Sequence, residues 1–578
     1  MKLIRFTLPL LLTLSVISTS VGQPYKSPYN LYPPLKGKLG LSGSFGEIRT
    51  NSLHAGMDFR TGGQIGSEVF ASDDGHVSRI KISSVGYGNA IYIDHPNGLT
   101  TLYGHLHKFS PEIEQYVKAQ QYKERSFEVD LHLLPKQISI KRGEIIGLSG
   151  NSGSSGGPHL HYEVRQTKNQ APQNPAFSNL NIGDKLTPVI RSVWLYKLGN
   201  DASPTTINSR KEINVQSSKG MYNYADTIFA EGNLGFGIEA YDFVNNQSLR
   251  CGIYSMKMYV NNILNYHFDI DGFRFDETRY ANSHIDFALR QKTGKRAQKL
   301  YTEPNNQLKI YKTLKNSGII NAQIDSIYNI RVEISDAYRN KTMLTMVVKG
   351  SQYNNSSAVG LLPAEQISGV LWPYFQQNQI STSQFSISMP AEALYNNIFF
   401  NYKVRDSVAF IYSPIISIHN RFTPVHKNYT LTINCLEIPE IYKSKALIAS
   451  VNAKNEIEAV GGDFRNGSVT SKLNFFGDFF VTIDSIAPEI KQVNAIAKND
   501  YSNEKSIMFK VKDNLSGVSQ IVGTIDGEWA LFEYDKKNDL VSYEFDSERL
   551  QKGRKHKLSL EVSDAKGNMS KSEYWFFW

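Results

Sequence analysis

The stretch Ser149-Gly-Asn-Ser-Gly-Ser-Ser-Gly-Gly-Pro-His-Leu-His-Tyr-Glu-Val164 gives the clearest indication of both fold and chemistry in this 578-residue sequence. Its glycine- and serine-rich part ends at Pro158, and polar and apolar residues alternate after it. Side chains two positions apart share a face of a strand, so we expect a flexible loop followed by a strand. The polar face of that strand carries His159, His161 and Glu163, and its apolar face enters a core.

Two imidazoles and a carboxylate on one face, next to a loop, indicate a metal site beside a cleft. A His-Leu-His tripeptide on a solvated edge strand is the simpler interpretation, because short matches are weak indicators.

An upstream segment favours the metal site. His54-Ala-Gly-Met-Asp58 places a histidine and an aspartate four residues apart, and the glycine between them favours a turn or bulged strand over a helix. Zinc binds neutral imidazole and carboxylate, and a catalytic zinc site keeps three protein ligands and one open position. His54, Asp58 and one histidine of the pair at 159 and 161 make such a set. Eight of the 13 histidines precede residue 162, which indicates a metal site rather than scattered core histidines.

A third segment, Thr101-Leu-Tyr-Gly-His-Leu-His107, also alternates. It predicts a strand whose shared face carries Thr101, Tyr103, His105 and His107.

Seven segments between about Ser42 and Pro175 stand in the order and at the spacing of one known family. They are His54-x-x-x-Asp58, Glu68-Val-Phe-Ala71, Asp74-Gly-His-Val77, Gly86-Tyr-Gly-Asn-Ala-Ile-Tyr-Ile-Asp-His95, Tyr103-Gly-His105-Leu, Gly143-Glu-Ile-Ile-Gly147, and the glycine loop with His159-Leu-His161-Tyr-Glu. Through them the sequence resembles the lysostaphin-type (LytM-like) zinc metalloendopeptidases, which cut peptidoglycan cross-bridges. The resemblance covers roughly a quarter of the chain.

The resemblance implies a mainly antiparallel β catalytic domain in which His54, Asp58 and His161 bind Zn²⁺. It further implies that His105 and His159 are catalytic histidines that flank the metal-bound water. The chemistry agrees, because zinc activates water and polarises the scissile carbonyl, while another group must take a proton and stabilise the oxyanion. The sequence has no His-Glu-x-x-His segment, so the glutamate base of that other metallopeptidase class is absent.

Two nearby residues receive weaker assignments. Glu163 is interpreted as a partner that orients a ligand histidine, since such histidines usually donate their second N–H to a carboxylate or carbonyl. His107 remains the alternative to His105.

One departure from the family pattern is an insertion at residues 108–137. The run from Pro111 to Glu124 has a helix-like composition with proline in the first turn, and the run from Phe127 to Leu133 alternates. Because the insertion follows the catalytic histidine closely, we expect it to wall the cleft and to influence substrate choice.

Residues 1–22 have the composition of a secretory signal peptide. Lys2 and Arg5 precede an apolar run from Phe6 to Ile17, and we expect cleavage after Gly22. The run is too short to favour a membrane span. We therefore expect export to the periplasm or cell envelope of a bacterium, or secretion, without a transmembrane span.

Composition narrows the function classes. The formal charge of +9 could attract anionic cell-wall polymers, although we prefer ordinary surface charge as the explanation. We find no nucleic-acid-binding motif. Only two cysteines occur, Cys251 and Cys435, which excludes a disulfide framework. We expect each to be a small buried apolar residue, and their pairing stays open.

After Pro175 the pattern predicts β-sandwich domains. An alternating strand followed by an Asp/Asn turn recurs at Asp242, Asp336 and Asp564, with a degenerate copy at Asp513. Such turns suit Asp and Asn, and short strands at this spacing predict sandwiches. Asp269-Ile-Asp-Gly272 resembles a calcium loop only faintly.

The expected organisation has four exported parts. They are a lysostaphin-type peptidase domain at 23–180, an immunoglobulin-like sandwich at 186–350 with a helical insertion at 276–291, a β-rich domain at 351–485 and a C-terminal immunoglobulin-like sandwich at 486–578. The predicted fold class is thus mainly β.

We expect an exported zinc metalloendopeptidase that hydrolyses peptidoglycan stems or cross-links, with peptidoglycan peptides as its substrate partners. Its ligand histidines must be neutral, so activity should fall in acid. One competing interpretation is a cell-envelope binding or scaffold protein whose peptidase-like domain docks or regulates. Another is cleavage of other exported proteins. The β domains could also bind a cell-envelope protein.

Overall fold

The computed structural model describes residues 29–180, 182–200, 209–218, 220–244, 249–351, 369–407 and 410–578. The predicted signal peptide lies outside these ranges. The fold is mainly β, which confirms the predicted class. Every helix within the described ranges is too short or too polar to cross a lipid bilayer.

The first part of the chain forms a nine-stranded sheet, a three-stranded sheet and a short hairpin. In chain order the strands are β1 (Leu41–Gly43), β2 (Ile48–Arg49), β3 (Ser52–Leu53), β4 (Met57–Arg60), β5 (Glu68–Phe70), β6 (Gly75–Ile82), β7 (Asn89–Asp94), β8 (Leu99–Leu106), β9 (Lys108–Phe109), β10 (Val129–His132), β11 (Ser139–Ile140), β12 (Ile145–Leu148), β13 (His159–Gln166) and β14 (Pro172–Gln173). The large sheet has the order β1-β4-β13-β8-β7-β6-β10, with β11 beside β6 and β14 beside β13. All of its pairings are antiparallel.

Strand β13 is an interior strand of this sheet. It pairs with β4 so that His161 faces Asp58, and with β8 so that His161 faces Gly104. The register therefore brings two segments about a hundred residues apart in sequence side by side. The interpretation of His-Leu-His as part of a solvated edge strand is wrong.

The apolar face of β13 enters the core as predicted. Leu160, Tyr162 and Val164 are at most 1% exposed, and the Tyr162 ring packs 5.4 Å from Tyr103 and 5.9 Å from Phe59. Burying a side chain of this size contributes about 2 kcal/mol. The opposite face is also buried, because Glu163 is 0% exposed, and this burial shapes the chemistry described below.

The insertion forms helix α1 (Pro111–Glu124), as predicted. Pro111 occupies its first turn, where a missing N–H costs nothing, and Glu112 and Glu114 complement the positive end of the helix dipole. The helix ends at Arg125, which has a left-handed φ of 49°. Its buried side chains are Ile113, Val117 and Gln121.

The outer face of α1 packs against the C-terminal part of the chain. The Tyr122 ring meets Trp529 edge to face at 5.1 Å, and the Arg549 guanidinium lies 4.4 Å above the Tyr122 ring. The ammonium of Lys118 lies 2.6 Å from the Asp546 carboxylate. The insertion thus supports an interdomain contact, and its expected effect on substrate choice stays a prediction.

The rest of the chain forms pairs of sheets packed around shared apolar cores. The second part has a five-stranded sheet (Val189–Lys197, Arg210–Ile213, Gly232–Tyr241, Gln298–Lys299, Ile320–Ala322) and a seven-stranded sheet (Gln216–Ser218, Met221–Ala230, Ser255–Val260, Ile263–Asp269, Tyr311–Leu314, Ile327–Ser335, Lys341–Gly350). The third part has two five-stranded sheets (Asn378–Ser381, Phe385–Met389, Tyr429–Asn434, Asp463–Arg465, Ser468–Leu473; and Tyr402–Arg405, Ile415–Ile418, Ala446–Val451, Ile457–Gly461, Gly477–Ile483) and a short pair (Val370–Trp372, Ile398–Phe400). The last part has two four-stranded sheets (Glu489–Gln492, Ser506–Lys512, Glu533–Asp535, Leu540–Glu544; and Val518–Ile525, Glu528–Trp529, Lys555–Asp564, Met569–Phe577).

The helix predicted at 276–291 is broken. The structure has a 3₁₀ turn at Phe275–Tyr280, helix α2 (Ala281–His284) and helix α3 (Phe287–Thr293). The break lies at Ile285, whose backbone is extended, because the Asp286 side chain caps a new helix by accepting from the Leu289 N–H. The two cysteines are both free thiols; Cys251 is buried and Cys435 partly buried.

Candidate metal centre

His54 and His161 present their lone pairs to the same point. The Nδ1–H of His54 donates to the carbonyl of Ser44 at 2.7 Å, which leaves Nε2 as an acceptor. The Nε2–H of His161 donates to Glu163 Oε1 at 2.9 Å, which leaves Nδ1 as an acceptor. A carbonyl and a carboxylate therefore select opposite tautomers in the two rings.

The carboxylate of Asp58 completes this group. His54 Nε2 lies 3.2 Å from His161 Nδ1 and 3.1 Å from Asp58 Oδ1, and His161 Nδ1 lies 2.8 Å from Asp58 Oδ1. Two imidazoles and one carboxylate are ligands that zinc uses, and tetrahedral bonds of about 2.1 Å separate ligand atoms by roughly 3.4 Å. The three side chains fit a zinc ion.

The pKa values of Asp58 and His161 are shifted in opposite directions by their mutual contacts. Burial alone raises the pKa of Asp58, but His54 and hydrogen bonds with His159 and His161 hold it well below its usual range. Burial alone lowers the pKa of His161, but hydrogen bonds to Asp58 and Glu163 raise it to about 9. Without a metal the pocket attracts a proton to His161, and a divalent cation would take the place of that proton.

His105 and His159 lie beside the three ligand candidates. The His105 ring centroid is 4.9 Å from that of His159 and 5.7 Å from that of His161. Their Nδ1–H groups donate to backbone carbonyls, that of Ser152 at 2.9 Å and that of Gly157 at 2.8 Å. Nε2 of each ring is therefore left for contacts other than this backbone bond, and His159 Nε2 lies 3.5 Å from Asp58 Oδ1.

His105 is neutral over a wide pH range. Burial, together with His161 and His159, lowers its pKa to about 3.

The prediction that His105 and Tyr103 share a face is wrong. The Tyr103 hydroxyl accepts from the Ser72 N–H in the core at 2.7 Å, whereas His105 faces His161 across the strand. His105 adopts a left-handed φ of 60°, and the β7–β8 ladder shifts register near it. This irregularity turns the imidazole towards the centre, as a β-bulge does. His107 is exposed.

Glu163 accepts hydrogen bonds from three side chains, and the sequence predicts only the one from a ligand histidine. Its Oε1 accepts from the Tyr87 hydroxyl at 2.6 Å, in addition to His161, and its Oε2 accepts from Arg165 Nε–H at 2.7 Å. Burial alone raises the pKa of Glu163, but Arg165 and His161 lower it to about 2. Tyr87 stands in one of the segments that carry the family resemblance, and Arg165 follows Glu163 by two positions, so both could have been noticed.

Arg49 was also missed. Its Nη2–H donates to Asp58 Oδ2 at 2.8 Å, so Oδ1 of Asp58 is left to face the histidines. Only the tertiary structure brings Arg49 to this position.

The first half of the glycine-rich loop is held firmly. Ser152 Oγ donates to the Leu106 carbonyl and accepts from the Asn89 N–H, both at 2.9 Å. A Cβ added at Gly88, which has a φ of +63°, would come within 2.3 Å of Ser152 Oγ. In the second half, added Cβ atoms at Gly156 and Gly157 would meet open space, and the expected flexibility of the loop stays a prediction.

Residues 52–122 and 128–175 match the family model of peptidase family M23. This part of the chain is an M23 peptidase domain. The resemblance to lysostaphin-type peptidases is thereby confirmed. Residues 370–484 match the model of a Zu5-like domain, within the region for which the sequence indicated only β structure.

Curated relatives of the M23 domain come from several bacteria. It is 38% identical over 128 residues to DD-carboxypeptidase/endopeptidase Mpg of Neisseria meningitidis, covering 22% of this chain and 23% of that protein. Identity to peptidoglycan DD-endopeptidase ShyA of Vibrio cholerae is 32% over 149 residues, covering 25% and 28%. Identity to lysostaphin of Staphylococcus staphylolyticus is 29% over 184 residues, covering 31% and 28%. The chain thus spans about a quarter of the length of these relatives. The catalytic domain of lysostaphin from Staphylococcus simulans aligns over 24% of this chain and 88% of that one, with 26% identity and a TM-score of 0.18.

Proposed function

We propose that the M23 domain is a zinc metalloendopeptidase that hydrolyses peptide bonds in peptidoglycan stems or cross-links. The main support is the convergence of three acceptor atoms, on His54, Asp58 and His161, within 3.2 Å of one another. A bound Zn²⁺ would activate water and polarise the scissile carbonyl. The names of Mpg and ShyA point to peptidoglycan as the substrate class.

The two remaining histidines would handle protons. His105 Nδ1 is occupied by the Ser152 carbonyl and its Nε2 is free, so this ring would accept a proton in the attack step and return it to the leaving amine. His159 lies beside it, with 4.9 Å between the two ring centroids. Once protonated at Nε2, either ring can donate a hydrogen bond to a developing oxyanion.

We further propose export through a cleaved signal peptide, to the periplasm or cell envelope of a bacterium. The basic, then apolar, composition of residues 1–22 supports export, and the bacterial peptidase relatives support the compartment. The β domains would then bind a cell-envelope partner or orient the M23 domain on its substrate.

The test compares wild type, His161→Ala and a matched control, His132→Ala, whose side chain is 72% exposed in the same domain. We expect wild type and the control to clear peptidoglycan in zymography and to retain about one zinc per chain, and His161→Ala to do neither. Equal clearing by all three proteins would refute the assignment. A zinc-free, inactive wild type would favour the scaffold function instead.

The bond that is cut requires purified muropeptides. Digestion followed by mass spectrometry should give products shortened or separated at an amide of the stem or cross-link. If the muropeptides stay intact and an exported protein is cleaved instead, the domain is a peptidase of exported proteins and not of peptidoglycan.

A further inference from the structure

Two buried aspartate clusters lie outside the M23 centre. The first trio is Asp184, Asp242 and Asp336, and the second trio is Asp484, Asp513 and Asp564. In each trio, every residue offers one carboxylate oxygen within 4.8 Å of the oxygens of the other two. Five of the six residues are at most 7% exposed, the exception being the partly buried Asp513.

The two trios are built in the same way. Asp564 Oδ1 accepts from the Asn568 N–H at 2.9 Å and Oδ2 from Asn568 Nδ2–H at 2.7 Å. Asp336 has the same two bonds with Asn340, at 2.9 Å and 2.6 Å. In addition, Asn568 Nδ2 donates to the backbone carbonyl of Asp484 at 2.8 Å. The Asp/Asn turns that recur in the sequence therefore have the same pair of hydrogen bonds at Asp336 and at Asp564.

Each trio also occupies the same place in its part of the fold. Asp184 and Asp484 lie in the segments that precede the first strands of the second and last parts, Val189–Lys197 and Glu489–Gln492. The other members stand at strand ends: Asp242 follows Gly232–Tyr241, Asp336 follows Ile327–Ser335, Asp513 follows Ser506–Lys512 and Asp564 ends Lys555–Asp564. A ligand at either trio would join a connecting segment to two strands of the sheets that follow it.

Several of these oxygens lack a partner. Across the described ranges, the buried Oδ1 atoms of Asp242, Asp484 and Asp513 have no hydrogen-bond partner. Asp242 is 3% exposed and Asp484 is 1% exposed. Buried polar atoms are normally satisfied, and an exception in a native protein points to a ligand or water that completes the site.

Neighbouring side chains do not supply the missing positive charge at the second trio. Among the described residues, no Lys or Arg forms a salt bridge with Asp484, Asp513 or Asp564. Lys566 interacts electrostatically with Asp484 and Asp564, but its ammonium donates to the Gly462 carbonyl at 2.6 Å and lies 3.8 Å from the exposed carboxylate of Asp463.

We propose that each trio binds a Ca²⁺ ion. The ligand atoms are oxygens without nitrogen or sulfur, which selects a hard cation over zinc. Ca²⁺ accepts several carboxylates in flexible geometry, whereas Mg²⁺ keeps most of its water and is usually held by one or two carboxylates. The ions would fix each connecting segment against the sheets that follow it, and so hold successive domains at a set angle.

The faint calcium-loop segment near residue 270 is not a third site. Asp271 Oδ2 lies 2.8 Å from the Lys312 ammonium, and its Oδ1 accepts from the Tyr254 hydroxyl at 2.6 Å. Asp269 pairs with His267 at 2.8 Å. The oxygens of this segment already have partners.

The test uses the full chain, freed of metal with EGTA and titrated calorimetrically with Ca²⁺. We expect two equivalents to bind and the melting temperature to rise with Ca²⁺, but not with equal Mg²⁺. Asp242→Asn and Asp513→Asn should each lower the stoichiometry from two to one, and the double variant should bind none. Asp271→Asn and Asp463→Asn are the matched controls that should keep both equivalents.

The proposal fails if wild type binds no Ca²⁺ at millimolar concentration and melts at the same temperature with and without it. It also fails if the asparagine variants retain both equivalents. If a substitution prevents folding, the proposal is tested by wild type alone, through its Ca²⁺ stoichiometry and the rise of its melting temperature with Ca²⁺. Neither readout depends on peptidase activity.

Discussion

Replacing Glu163 with glutamine tests whether the buried network behind His161 holds the metal centre in shape. Glu163 is 0% exposed, and its two oxygens accept from His161, Tyr87 and Arg165 at 2.6 to 2.9 Å. Every partner is a donor, whereas a glutamine side chain has one acceptor oxygen and one NH₂ group. In Glu163→Gln the NH₂ must therefore face a donor, either Arg165 or the pair formed by His161 and Tyr87.

Glu163→Gln should lose both zinc affinity and folding stability. Outer partners of metal ligands are worth about 10–100-fold in metal affinity, which is about 1.4–2.7 kcal/mol. Arg165 is 5% exposed, and removing the partner of a buried charge costs about 3–5 kcal/mol of stability. We therefore expect weaker zinc binding, and a lower free energy of unfolding even when zinc is saturating.

Zinc affinity can be measured by competition with a chelating dye, and stability by urea unfolding with excess zinc. The control is Asp130→Asn in the same domain, where the side chain is 42% exposed and pairs with Arg79 at 2.6 Å. An exposed pair contributes about 0–1 kcal/mol, so the control should resemble wild type in both assays. If Glu163→Gln also binds zinc and unfolds like wild type, the inference that this network positions His161 is wrong.

Three further predictions concern other parts of the molecule. His105→Ala and His159→Ala should retain zinc but lose about 10²–10⁴-fold in hydrolysis, measured on muropeptides; loss of zinc from either would instead make it a ligand. The free energy of unfolding should fall by about 3 kcal/mol as pH drops from about 6.5 to 4, because burial lowers the pKa of His284 to about 4 and the unfolded chain binds the proton at higher pH. In urea unfolding, His284→Gln should show a flatter pH dependence than wild type. An unchanged pH dependence would assign the loss to another group. Tyr122→Ala should weaken the packing of α1 on the C-terminal sheets by about 1–2 kcal/mol and speed limited proteolysis between them, whereas Leu134→Ala, at a 74% exposed position, should not.

Much of the M23 domain could be read from its sequence, because local geometry follows local pattern. The alternation after Pro158 predicts β13 and its buried apolar face, and the composition from Pro111 to Glu124 predicts α1 with its bounds. The residue types of His54, Asp58 and the pair at 159 and 161 indicate zinc chemistry, and the family resemblance implies His161 as the third ligand. The single short helix predicted at 276–291 was the clearest local error, since the Asp286 side chain caps a new helix there.

The sequence by itself determined which side chains were available and which faces they would occupy in regular strands. Only the tertiary structure decided which nitrogen of His54 and of His161 faces Asp58, because a distant carbonyl, that of Ser44, and a buried carboxylate, that of Glu163, select the tautomers. It also decided that His105 turns towards the centre, through a left-handed residue that breaks the alternation. Contacts such as these join residues far apart along the chain, and their energies depend on burial, which periodicity does not encode.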